Sequence, residues 1–328
     1  MHRLVFIFSF IFLISACGSA DDFFEDIEEG IIVDSILVNP PNPNDSTKSI
    51  PADTIIVGND TIISPKDTLT SDSLNHVNLP GIEYTQLFKL TSLSKQTTQG
   101  FAIFDKYLFN CHHTNDYIDV FDLETQESIA SIKLEPETIV HCNNVNFGSE
   151  YFSSEDKFPL LYIQQRGYTS KLNVYRILCE GDDIKMAIKV QTISFESCSW
   201  CINAIDSKNN LLYAIYGYNG NNYISSFRLP SVKEGDVVIN PKYAYKTYNC
   251  PYSKVGQDTA FNDNYLYILC GYNGEGQLWR IDMDYNKAIV IDLTKYGLKR
   301  EPEGICFYKG NIILSFNDNN IFKAKIIE

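Results

Sequence analysis

Four oxygen-bearing residues stand at the start of short apolar runs: Asn144 in NNVNF, Asn203 in INAID, Asp258 in QDTAF and Glu303 in EGICF. Carboxylate and amide oxygens are the ligands that hard cations such as calcium select. Brought to one point, this set has the composition of a cation site. Polar residues at strand starts also serve by hydrogen-bonding water and loop backbone, and that reading stands beside the first. A second group lies in the segments CHHTND, QRGYTS, GYNGNN and GYNGEG: His112, His113, Arg166, Tyr168, Tyr218 and Tyr272. Aromatic rings beside amides and a guanidinium suit sugars or flat polar ligands, although 21 tyrosines in one chain make some clustering expected. His112 and His113 are adjacent, so in a strand they face opposite sides and cannot share one metal. Cys198-Ser-Trp-Cys201 has C-x-x-C spacing, with no second pair and no H-x-x-x-H partner. Its surroundings read as a loop entering a strand, which favours a local disulfide or inert thiols over redox or metal chemistry. No G-x-S-x-G, phosphate loop or H-E-x-x-H is found, so no enzyme class is indicated.

These residues need a scaffold, and the chain repeats one. Helical periodicity is nearly absent between residues 82 and 328, where β-rich runs alternate with Asn, Gly and Asp turns. Third strands read YIDVFDL, KLNVYRI, YISSFRL and GQLWRID, and second strands KYLFNCH, PLLYIQQ, NLLYAIY and NYLYILC. First strands read GFAIF, NNVNF, INAID, QDTAF and EGICF. Aligned on Ala102, Val145, Ala204, Thr259 and Ile305, they are 43, 59, 55 and 46 residues apart. Those are the sizes of four-stranded propeller blades. Fourth strands follow in four units. The fifth unit lacks one, and EYTQLFKL (83–90) is available to complete it. The expectation is an all-β, five-bladed β-propeller closed by its N-terminal strand. Six blades is the alternative, should the long second or third unit hide a degenerate one.

The repeat resembles known β-propellers. That resemblance implies that each first strand lines the central channel and begins on the face that usually binds ligands. One aligned level is then Phe101, Asn144, Asn203, Asp258 and Gly304, and the level before it Gly100, Asn143, Ile202, Gln257 and Glu303. His141 and Glu301 stand slightly above. The turns carrying the aromatic group share this face, with Asn219-Gly220 and Asn273-Gly274 suited to tight hairpins. The set Asn144, Asn203, Asp258 and Glu303 also resembles the metal ligands of the senescence-marker/gluconolactonase propellers, which implies calcium and a lactonase- or esterase-like hydrolase. That resemblance covers four residues and the EGI turn.

The N-terminus supplies an address. His2 and Arg3 precede an apolar stretch from Leu4 to Ile14, 11 residues long and too short to span a bilayer core of about 30 Å. It reads as a secretory signal. Ile14-Ser15-Ala16-Cys17 resembles the lipobox of bacterial lipoproteins, which implies cleavage before Cys17 and its diacylation. Acyl chains hold a protein on a membrane at about 0.8 kcal/mol per buried methylene. The following GSADDFFED resembles the surface-export signal of some Gram-negative lipoproteins, so the outer membrane's outer surface is expected, with the periplasm as alternative. The divisions are 1–16 signal, 17–81 acidic Pro/Asn/Ser/Thr-rich linker and 82–328 propeller. Twelve acidic residues and two lysines between 18 and 80 hold most of the net charge of −14. No basic patch appears, so nucleic acid is not an expected partner. The expected function is binding of a ligand or partner, a glycan or a surface protein, at the channel mouth. The alternatives are the calcium-dependent hydrolase and a scaffold within a surface complex.

Overall fold

The computed structural model describes residues 71–78, 81–91, 97–113, 116–135, 142–165, 170–250, 256–272, 274–284 and 287–327. Cys17 and the signal and most of the linker lie outside them. Five similar blades account for nearly all of these residues, the first two joined into one sheet by the parallel pairing of their outer strands. Blade 1 comprises β3 (Thr98–Phe104), β4 (Tyr107–His112), β5 (Tyr117–Asp122) and β6 (Glu127–Glu135). Blade 2 comprises β7 (Cys142–Phe147), β8 (Leu161–Gln165), β9 (Lys171–Glu180) and β10 (Asp183–Phe195). Blade 3 has β11 (Cys198–Asp206), β12 (Leu211–Tyr218), β13 (Asn221–Arg228) and β15 (Lys246–Asn249), while β14 (Val237–Ile239) pairs with β10. Blade 4 has β16 (Gly256–Asn262), β17 (Tyr265–Cys270), β18 (Gln277–Asp282) and β19 (Lys287–Asp292). Blade 5 has β20 (Pro302–Tyr308), β21 (Asn311–Phe316), β22 (Asn320–Ile327) and, as its outer strand, β2 (Gly81–Lys89) from the other end of the chain. The β2–β22 pairing is the ring closure the repeat predicts. Each inner strand packs beside the next, β3 on β7, β11 on β16, β16 on β20, and β20 returns to β3. The fold is a five-bladed β-propeller.

Hydrophobic burial follows the same ring. Five apolar clusters fill the five blade interfaces, from blades 1 and 2 round to blades 5 and 1. One contact recurs among them. An aromatic of the second strand in one blade meets the aromatic that ends the first strand in the next: Phe109 on Phe147 at 5.2 Å, Tyr213 on Phe261 at 4.7 Å and Tyr267 on Phe307 at 4.8 Å. Inner strands are buried on both faces, whereas outer strands such as β6 alternate between buried and exposed. Tight turns join first and second strands. Asp263-Asn264 and Lys309-Gly310 both hold positive φ, as a two-residue hairpin loop requires. Asn219 and Gly220 do the same between β12 and β13, as expected, while Asn273 lies outside the described residues.

One further point concerns the linker, expected over residues 17–81. Its last part is β structure. Ser71 Oγ donates to Asn249 Oδ1, Asp72 exchanges backbone bonds with Thr247 and Asn249, and β1 (Asn75–Asn78) runs parallel to β19. This strap covers the outer edges of blades 3 and 4, where open ladder groups would otherwise face water.

Candidate functional site

Every inner strand is the edge of its sheet, so five rows of unpaired N–H and C=O groups line the axis. Within a protein such groups need partners. Asp258 meets three of the N–H groups. Its side chain, with no exposure, accepts from Thr259 N–H (2.8 Å), Ile305 N–H (2.9 Å), Asn144 Nδ2 (2.5 Å) and the Val145 N–H. Asn144 completes the arrangement: its Oδ1 accepts from the Asn203 N–H at 2.9 Å, and Thr259 Oγ1 donates to the Asn203 carbonyl at 2.6 Å. Asn203 Nδ2 donates to Gln164 Oε1 at 2.9 Å, and the Cys201 thiol lies 3.2 Å from Asn203 Oδ1. Asn144, Asn203, Asp258 and Thr259 are all fully buried. Together they plug the axis and tie blades 2, 3, 4 and 5. Burial pushes the Asp258 carboxyl well above the usual carboxylate range, against the pull of the Ile305, Asn144, Thr259 and Val145 donors.

The sequence reading thus brings Asn144, Asn203 and Asp258 together, and the structure gives their meeting a different content. A calcium site needs oxygens converging on an open centre. Here both Asp258 oxygens face N–H donors, and the Asn144 and Asn203 amides bond to backbone and to neighbouring side chains. The set does not fit a hard cation. Among the described residues, no group of three or more His, Cys, Asp and Glu is placed to hold a metal. Glu303 stands apart from the plug, one level nearer the mouth.

That upper level holds a feature the sequence did not reveal. Near its start each inner strand carries a β-bulge against its neighbour; four of the five close at one aligned level, Phe101, Asn144, Asp258 and Gly304, while that of β11 closes at Cys201, two residues before the aligned Asn203. The irregularities lie between Thr98 and Phe101, Cys142 and Asn144, Cys198 and Cys201, Gly256 and Asp258, and Pro302 and Gly304. The inserted residues are Gln99 with Gly100, Asn143, Ser199 with Trp200, Gln257, and Glu303. Bulges bend a strand and re-aim its side chains, and they gather beside sites. Here they produce a ring of buried polar groups above the plug: Gln99, Asn143, Gln257 and Glu303, none more than 5% exposed. Gln257 Nε2 donates to Glu301 Oε1 at 2.9 Å and to the Gly271 carbonyl at 3.1 Å, and Asn317 Nδ2 donates to Glu301 Oε2 at 3.3 Å. Asn143 differs. Its Oδ1 is buried and accepts no hydrogen bond from any of the described residues. Such an oxygen calls for a water or a ligand donor.

The rim group separates. His112, expected at the rim, is buried inside blade 1, its Nε2 3.0 Å from Asp119 Oδ2 and its Nδ1 3.5 Å from Asn110 Nδ2. Asn110 also accepts from Thr98 Oγ1. Both ring nitrogens therefore face the blade, because Asp119 on β5 stands beside the mouth end of β4. His113 is exposed, as alternation along a strand requires. Tyr218 is half-buried at the mouth end of β12, and Tyr272 is exposed beyond β17. Arg166, Tyr168 and His141 lie outside the described residues. Cys198 and Cys201 stand as thiols across the bulge of β11. Burial pushes the Cys198 thiol up to about 12 and that of Cys201 well up, which opposes a nucleophilic or redox role.

No known family model matches the sequence, and no curated protein matches it closely. Among solved structures, the glutaminyl cyclase of Myxococcus xanthus is 11% identical with a TM-score of 0.48, covering 78% of this chain and 100% of its own. The PQQ-bound aldose sugar dehydrogenase of Streptomyces coelicolor is 10% identical with a TM-score of 0.48, covering 76% and 100%. An inactive virginiamycin B lyase from Staphylococcus aureus with quinupristin is 13% identical with a TM-score of 0.42, covering 75% and 100%. None of those activities transfers at this level of likeness.

Proposed function

We propose that this chain is a lipid-anchored, extracytoplasmic propeller that binds a ligand or a partner protein at the mouth of its axis. The carrying observation is the set of bulges that blades 1, 2, 4 and 5 place at one level. They direct Gln99, Asn143, Gln257 and Glu303 to that level above a closed plug, with Asn143 Oδ1 lacking a partner among the described residues. A plugged axis makes a floor, and Tyr218 and Tyr272 flank it as apolar surfaces with polar tips. A glycan or a surface protein fits this combination of ring faces and amides. The anchor at Cys17 and the acidic linker would hold the mouth away from the membrane, at the cell surface or, failing export, in the periplasm.

Purified chain is applied to a glycan array and used to capture surface proteins, and the hits are titrated against Tyr218→Ala, Tyr272→Ala and Asn143→Ala. Weaker binding at unchanged melting temperature supports the mouth. Full binding in all three moves the site elsewhere. Incorporation of labelled fatty acid that disappears in Cys17→Ser tests the anchor, and protease treatment of intact cells tests display.

A further inference from the structure

Two cysteines approach each other beneath the mouth. Cys111, in β4, and Cys142, the first residue of β7, belong to different blades and are each 1% exposed. Both lie in the apolar cluster between blades 1 and 2. The bulge of β3 brings them together. Gly100, inside that bulge, has no side chain to hold β7 away: a Cβ there would stand 2.3 Å from the Asn143 carbonyl oxygen. Blade 2 therefore approaches blade 1 by the width of a methyl group at this level, and β4 reaches β7. Burial first, and then the neighbouring Cys111 thiol, push the Cys142 thiol well up.

We infer that Cys111 and Cys142 are an inter-blade disulfide site, oxidised when the chain folds in an oxidising compartment. Thiol–disulfide exchange with a small or protein disulfide forms the Cys111–Cys142 sulfur–sulfur bond and breaks that of the exchange partner. The partner takes up both electrons and both protons and leaves as two thiols. The exchange belongs to folding, before blades 1 and 2 close. In the finished propeller no reagent reaches either sulfur, and burial holds the Cys142 thiol in its protonated, unreactive form. For the same reason the finished bond resists external reductant until the interface opens. Cross-linking these residues ties the first two blades directly under the bulge ring. The inference does not depend on what the mouth binds.

The full chain is reduced, unfolded, and refolded with oxidised and reduced glutathione, then alkylated under denaturing conditions and mapped by peptide mass. The expected result is one cross-linked peptide pair, Cys111 with Cys142, lighter by two hydrogens than the separate peptides. Added dithiothreitol should leave it intact in folded protein and cleave it within minutes in denaturant. Reduction should lower the melting temperature by roughly 5–10 °C, and the Cys111→Ser/Cys142→Ser variant should lose that response. Finding both cysteines alkylated, or Cys142 joined to another cysteine, overturns the inference. So does a melting temperature that ignores reduction, or one whose response survives in the double variant.

Discussion

The plug and the bulge ring lie one residue apart along the same strands, and they treat polar groups in opposite ways. In the plug, Asp258, Asn144 and Asn203 bond to one another and to the strand edges, and solvent reaches none of them. In the ring, Gln257 still bonds to Glu301 and to the Gly271 carbonyl, but the buried Asn143 Oδ1 meets no donor among the described residues. The first arrangement stabilises the fold. At Asn143 the second carries a cost, since an unsatisfied buried acceptor forfeits about 1–3 kcal/mol. Polarity at the axis of a propeller is therefore no single signal. Its meaning depends on whether the partners come from the protein or must come from outside.

Substitutions turn this contrast into measurements. A yardstick comes first: Phe109→Ala removes a fully buried ring packed on Phe147 and Phe158, and should cost about 3–5 kcal/mol in denaturant unfolding. Asp258→Asn keeps the shape but sets an amide donor against N–H donors, so a loss of about 2 kcal/mol is expected. A loss below about 0.5 kcal/mol would show the plug to be dispensable and erase the contrast.

The acidity of Asp258 gives a smaller effect. Its folded pKa is raised above the ordinary 3.8, chiefly by burial. The folded state then holds the proton more tightly than the unfolded chain does. That contribution is complete below the unfolded value and fades as pH rises through the folded one. The melting-temperature advantage of the native protein over Asp258→Asn should accordingly shrink from pH 4 towards neutrality. A widening gap would mean that the four donors outweigh burial. The smallest stability effect belongs to the ring. Asn143→Ala should shift the melting temperature by no more than about 2 °C in either direction, while weakening ligand binding about tenfold. A large stability loss there would make the ring a second plug.

Much of this was legible beforehand. The recurrence of GFAIF, NNVNF, INAID, QDTAF and EGICF located every inner strand, and the missing fourth strand of the last unit pointed to residues 83–90. Asn143, Gln257 and Glu303 were recognisable as polar neighbours at the mouth. Gln99 was not, because the first unit places its bulge one residue earlier than the alignment on Ala102 suggests. His112 was misread, since nothing local shows that Asp119 will stand beside it. The approach of Cys111 to Cys142 depends on Gly100, whose small size means nothing until a second blade arrives.

Sequence alone settled the class of fold and the level at which polar residues gather, because strand alternation and repeat length are local properties that survive in one dimension. Only the tertiary structure decided what those residues do. Hydrogen bonds pair donors with acceptors from blades far apart in the chain. A carboxylate that reads as a metal ligand becomes a structural acceptor once four N–H groups converge on it.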